Sequence, residues 1–274
     1  MFNINDLAKV SELLSRVIDC LDKGVSAWLS PSVYKRMEDA KLLIEQKKAD
    51  QQSVISLKEA MEQDMISVAR TSRDRQEIKN IASIYGNALA ELQAFGTTPL
   101  PQETVKSDWA ACFFDCAKDC CDEEVQQLWS RILAGEIMSP GRFHKRTLFN
   151  LRQMEHFEAE WFCELCRFVM DNAYLPVFVL EDERIPFNRY QSLVDCGFIN
   201  ADQGNMEIKK DTIFRLKSAT ISLKVSAEPF HLRVFTLTDM GSQICELVQT
   251  DTDAAYLVKL LEIMNKRHHA DTLR

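Results

Sequence analysis

Apolar residues recur at helical spacing up to about residue 170, and then give way to short alternating runs. The clearest stripe is Val125, Leu128, Trp129, Ile132 and Leu133, at i, i+3, i+4, i+7 and i+8. Asp122 stands at the N-cap position, and Glu123 and Glu124 fill the first turn, where the helix dipole favours negative charge. Ser139-Pro140-Gly141 ends the helix, since proline cannot continue it and glycine turns cheaply. A second helix is expected from Phe143, with Thr147, Leu148, Leu151 and Met154 facing inward. The pattern predicts a helical hairpin with Trp129 buried between its arms and the Trp161 helix. Glu136 and Arg146 flank the corner and are expected to pair across it.

The rest of the first 170 residues or so reads the same way. Leu7, Val10, Leu14, Val17, Ile18, Leu21, Val25, Trp28 and Leu29 mark an amphipathic helix stopped by Ser30-Pro31. Residues 32 to 94 are nearly free of Gly and Pro and predict long helices, polar all round at Lys47–Gln52. Ile78, Ile81, Tyr85, Ala88, Leu89 and Leu92 share one side of the last of these. Gly96 to Pro101 has the composition of a linker. A helix from Glu155 to Met170 is expected to bury Phe157, Trp161, Phe162, Leu165, Phe168 and Val169.

Beyond Asn172 the period shortens. Leu175–Leu180 reads as a strand or extended link, and Asn188–Asp195 as a short helix turned by Cys196-Gly197. Met206–Ile208, Ala219–Val225 and His231–Leu237 read as strands. Thr238 caps a helix through Leu247, and a last helix runs from Asp253 to Lys266. That order suggests a small winged-helix-like module. The expected fold is therefore mainly α: a long-helix region (1–98), a central hairpin domain (99–171) and an α+β winged-helix-like C-terminal module (172–274).

Composition changes this picture little. With 274 residues there is room for more than one core. The net charge of −8 argues against a chain coated by a nucleic-acid-binding surface. No apolar run is long enough to span a bilayer, and the N-terminus lacks signal-peptide layout, so a cytoplasmic home is expected. Nine cysteines, not spaced as a disulfide framework, fit a reducing compartment.

Candidate chemistry is sparse. Cys112, Cys116 and Cys120, with Cys121 and the Cys163-x-x-Cys166 pair, could supply thiolates for zinc, but they fall on interior helix positions where cysteine acts as a small apolar residue. Packed thiols are expected, with no metal and no cofactor. Asp115, Asp119, Asp122, Glu123 and Glu124 read as a solvated acidic face. No nucleophile elbow, P-loop or dinucleotide fingerprint occurs, so no catalytic residue is nominated. Arg142, Lys145 and Arg152, with Phe149 between, share a helical face that could hold phosphate or an acidic partner. A solvated face balancing the acidic run is the favoured reading. Arg70, Arg73, Arg75 and Lys79 form a second basic cluster, and Lys209 and Lys210 a third, near the wing.

The hairpin residues Leu128-Trp129, Ile132, Leu133-Ala134-Gly135-Glu136-Ile137, Pro140-Gly141, Phe143 and Arg146-Thr147-Leu148 follow the pattern LW-x-x-[IL]-LAGE-[IV]-x-x-PG-x-[FY]-x-x-RTL. In this the chain resembles a bacterial family known only as a domain of unknown function. Trp28 with Pro31, Arg75-Gln76 with Asn80-Ile81, and Asp108-Trp109 with Phe113-Phe114 fit the same resemblance, which spans roughly residues 10 to 250. It carries over no catalytic residue. The layout, ending in an LT-x-x-G segment, is also similar to phage-resistance and abortive-infection proteins. The expectation is an interaction or regulatory protein, in phage defence if that layout holds, with a protein partner, weak nucleic-acid binding and room for a homo-oligomer. The alternative is an enzyme, a nuclease or toxin effector, with a site assembled from distant residues.

Overall fold

The structure, a computed structural model, describes residues 15–16, 19–20, 23, 72–94, 101–209, 211–224, 229–265 and 269–273. The expected break at Ser30-Pro31, the polar stretch Lys47–Gln52, most of the 96–101 linker and Lys210 lie outside the described residues. The chain forms two compact units, Met1–Arg152 and Gln153–Arg274. The expected division had boundaries at 98 and 171. The helix beginning at His156 packs with the elements that follow it.

The first unit is helical in its described part. It contains α1 (Ser72–Ala94), α2 (Ser107–Ala117), α3 (Glu123–Met138) and α4 (Lys145–Arg152). α1 lies along α3, burying Ile81, Ile84, Ala88 and Leu92, and α2 lies against α4. α3 starts at the predicted cap: Asp122 accepts from the N–H groups of Glu124 and Val125, both at 3.0 Å. α4 begins two residues later than the apolar spacing suggested. The core is aromatic. Phe113 stacks on Trp109 at 5.2 Å and meets Trp129 edge-on at 5.4 Å, an arrangement suited to ring quadrupoles. Trp129 is 1% exposed.

The second unit runs α5 (His156–Cys166), β1 (Tyr174–Pro176), α6 (Phe178–Glu181), α7 (Phe187–Asp195), β2 (Ile199–Ile208), β3 (Thr212–Arg215), β4 (Thr220–Lys224), β5 (Phe230–Leu237), α8 (Asp239–Leu247), α9 (Ala254–Asn265) and β6 (His269–Leu273). One antiparallel sheet has the order β1-β5-β2, the other β3-β4-β6. β5 pairs Tyr174 with Thr236 on one side and Ile208 with Phe230 on the other, and β2 is irregular between Ile199 and Gln203. The run expected as a strand or extended link over 175–180 splits into β1 and the short α6. β2 extends well ahead of the expected Met206–Ile208. After the last helix, His269–Leu273 form β6 along β4, a strand the sequence pattern did not predict.

Two sequence features lock α8 onto the α7–β2 turn. Gly197 has φ +79°, a conformation natural to glycine. Thr238 caps α8 by accepting from Gly241 N–H at 3.1 Å while its hydroxyl donates to the Gly197 carbonyl at 2.6 Å. Among the described residues no helix is long and apolar enough to cross a membrane.

Candidate functional site

The hairpin corner is the most densely specified place in the chain. Gly135 on α3 faces the Phe143 ring, and a Cβ there would come within 2.9 Å of it. The residue after it, Glu136, is 1% exposed. Its Oε1 accepts from Gly141 N–H at 2.6 Å and its Oε2 from Phe143 N–H at 3.0 Å. Gly141 sits at φ +87°. The Phe143 carbonyl in turn accepts from the Trp109 indole N–H at 2.7 Å. A buried carboxylate is thus used to satisfy backbone donors of a tight loop, as buried polar groups must be.

Glu136 does not take the partner expected for it. Arg146 is exposed on α4, and the cation acting on Glu136 is Arg142, whose guanidinium also lies 5.1 Å from the centre of the Phe143 ring. Burial raises the Glu136 carboxyl above its ordinary range, against the N–H bonds that lower it. A perturbed buried carboxyl is a reasonable place to look for acid–base chemistry. Here both oxygens are already occupied by the loop, and the arrangement does the work of a cap.

A polar ladder ties α1 to α3. Asn80 Nδ2 donates to the Lys118 carbonyl at 2.8 Å, and Gln126 Nε2 to the Cys120 carbonyl at 2.7 Å. The Ser130 hydroxyl donates to Ile84 O at 3.0 Å and to Gln126 O at 2.7 Å. All three side chains are buried. Sequence reasoning gave these residues no role. The available signal was Gln126 and Ser130 at i, i+4 beside the apolar stripe, a spacing that puts polar groups at the edge of the packed face.

The basic face of α4 is the candidate binding patch, and the structure distributes it. Lys145 pairs with Asp108 at 2.5 Å. Arg152 reaches Asp119 at 2.7 Å and Asp115 at 3.5 Å. Arg142 turns to the corner. Phe149 alone stands out, 50% exposed. Arg73 of the second basic cluster also meets Asp119, at 3.5 Å, while Arg70 lies outside the described residues. Asp108, Asp115 and Asp119 therefore pair with Lys145, Arg152 and Arg73, three of the cations that were candidates for phosphate. Just past β2, Lys209 is exposed and pairs with Glu207 at 2.9 Å.

This ladder of charges has a pH signature. The hydrogen bond from Lys145 holds the Asp108 carboxyl below its ordinary value, and Lys118 followed by Arg152 does the same for Asp115. A carboxyl depressed in the folded state contributes stability that is present above the unfolded value and lost as pH falls through the folded one. The urea midpoint of the full chain is expected to drop as pH falls below about 4, the ordinary aspartate value. Replacing both Asp108 and Asp115 with asparagine should flatten that limb; an unchanged limb would mean the pairs contribute nothing. Glu136, shifted the other way, favours the folded state at low pH and cannot produce such a loss.

The cysteines are thiols, none joined in a disulfide. All nine are free, with Cys116, Cys166 and Cys245 buried and Cys121 and Cys163 exposed. Among the described residues no group of three or more His, Cys, Asp or Glu side chains is placed to hold a metal ion. The two cysteine sets considered together from the sequence belong to different units.

The second unit carries an exposed aromatic face that the sequence reading placed inside. Phe157 is 44% exposed and Trp161 is half-buried, with their ring centres 4.7 Å apart. Arg189 of α7 lies over the Trp161 ring at 5.5 Å and pairs with Glu164 at 2.6 Å. At the start of α7, Phe187 is 68% exposed, 6.0 Å from the Tyr190 ring. Helical periodicity located the apolar stripe of α5 correctly but overstated its buried width.

No curated protein and no solved structure matches the chain. Residues 68–176 match the model of a family described as protein of unknown function (DUF2806), a span that holds the whole hairpin and is narrower than the resemblance read from the sequence.

Proposed function

We propose that this chain is an interaction or regulatory protein, and that its second unit is a winged-helix-like module facing a protein rather than DNA. Support for the module comes from its element order: helix α5, strand β1, short α6, helix α7, then the long strands β2 and β5, with β5 between β1 and β2. In helix-turn-helix relatives the second helix of the pair is the reading helix, and α7 holds that place.

The observation that carries the reading is what α7 presents. Its exposed large hydrophobic residue is Phe187, and its one basic residue, Arg189, is engaged by Glu164 and Trp161. A DNA-reading helix needs free cations nearby, because phosphate neutralisation supplies most non-specific affinity. Over residues 180–274 there are 12 Lys and Arg against 14 Asp and Glu, a net charge of −2. Aromatic residues with an arginine among them are instead the composition of protein-binding hot spots.

Two measurements test this. Titration of the full chain into labelled duplex should give affinity weaker than about micromolar at physiological salt. Tighter binding, lost in Lys209→Glu, would assign the wing to DNA. Pull-down from the host with nuclease treatment should retain the partner, and Phe187→Asp should release it. Retention by the variant would move the interface off α7.

A further inference from the structure

The Cys163-x-x-Cys166 motif contributes nothing to the binding reading, yet its buried member has a thiol neighbour from another element. Cys166, the last residue of α5, and Cys245, in the last turn of α8, are both 0% exposed and hydrogen-bonded to one another. A polar collar surrounds Cys245. Its Sγ lies 3.6 Å from Asn172 Oδ1, and Lys217 Nζ donates to that same oxygen at 3.3 Å and to the Cys245 carbonyl. Asn172 and Lys217 are half-buried.

We infer that Cys166 and Cys245 are a redox dithiol that closes to a disulfide on oxidation by a peroxide, tying the end of α5 to α8, with Lys217 as the positioning cation. The two sulfurs are not equivalent. Burial raises the Cys166 thiol well above its ordinary range. The Cys166 hydrogen bond, then the Lys217 ammonium, lower Cys245 in spite of its burial. The thiolate is the nucleophile, so Cys245 attacks. Its sulfur displaces hydroxide from the peroxide O–O bond and becomes a sulfenic acid. The Cys166 sulfur then attacks the Cys245 sulfur, the S–O bond breaks, and the Cys166 proton leaves with the hydroxide as water. Two thiols and one hydrogen peroxide give one disulfide and two waters. Cys163, exposed one turn away, is outside this bond.

The contrast with the other thiols is local. Cys196 donates to the Glu158 carboxylate at 3.1 Å, and burial with that carboxylate pushes it up to about 12. Cys116 is likewise raised to about 12 and has Cys112 beside it, four residues back on the same helix, where no partner element would be tied down.

The test uses the full chain in a Cys163→Ser background, so that the peptide holding Cys166 has one thiol. The folded protein is treated with hydrogen peroxide, quenched, unfolded in iodoacetamide and mapped by mass spectrometry without reductant. The expected product joins the Cys166 and Cys245 peptides and separates on adding dithiothreitol. Lys217→Gln should form the same bond severalfold more slowly near neutral pH, because losing the ammonium lowers the Cys245 thiolate content. Recovery of both cysteines in alkylated form overturns the inference. So does a bond that forms only in urea, or one whose rate is untouched by Lys217→Gln.

Discussion

Trp129→Ala is expected to destabilise the chain by about 3–5 kcal/mol, the range for truncating a fully buried tryptophan. The reasoning starts from position. Trp129 lies on α3 between Gln126 and Ser130, whose side chains hold α1 and the Cys120 turn, and Ile132 and Leu133, which are 0% exposed. Its ring meets Phe113, which itself stacks on Trp109, and the Trp109 indole N–H holds the Phe143 carbonyl of the corner. Removing the indole would leave a buried cavity against the Phe113 ring. Close packing makes such a void costly, because its lining loses contacts outright. The measurement is urea unfolding of the variant beside Trp161→Ala. Trp161 is half-buried on α5, so its loss should cost clearly less. Equal effects from the two substitutions would deny Trp129 its place at the centre of the first unit.

How much of this was legible beforehand divides by sequence distance. α3, its Asp122 cap and its Pro-Gly end were readable because helix periodicity, capping and turns are local properties. The Thr238 cap of α8 was readable for the same reason. The corner showed where Glu136 and Arg146 stand, but not that a carboxylate within reach of two loop N–H groups would choose them over a guanidinium. That choice depends on the path of the loop, set by Gly141 and by the Phe143 ring seated on Gly135. The α4 cations were readable as a face, whereas their partners lie on α2, at sequence separations such as the 37 residues from Asp108 to Lys145. β6 was illegible because a strand exists through its partner, and β4 lies far back in the chain. The Cys166–Cys245 pair escaped in the same way: the sequence offered Cys163 as the neighbour, and the fold brought in α8.

Gly241→Ala is expected to have the sharpest effect in the second unit. A Cβ at Gly241 would sit 2.0 Å from the Phe198 carbonyl oxygen and 3.0 Å from its carbon. Both are backbone atoms, so no rotamer change relieves the overlap. The Phe198 carbonyl cannot simply withdraw, because it accepts from Thr238 N–H at 3.0 Å and its residue leads directly into β2. α8 must slide away from the turn, which breaks the Thr238 bond to Gly197 and removes Ile244 and Cys245 from the core. Overpacking against yielding side chains costs about 1–3 kcal/mol, and a clash with fixed backbone should exceed that range. Two other glycines provide the scale. At Gly135 the added methyl would meet the Phe143 ring edge at 2.9 Å, a side chain able to shift, and at Gly204 it would meet Val234 O at 3.7 Å, an ordinary contact. Stability measured by urea unfolding should therefore fall least for Gly204→Ala, more for Gly135→Ala and most for Gly241→Ala. Hydrogen exchange in Gly241→Ala should rise first in α8 and β2. If Gly241→Ala unfolds no more easily than Gly204→Ala, the close approach of α8 to the α7–β2 turn is wrong, and the glycine of the LT-x-x-G segment has some other purpose.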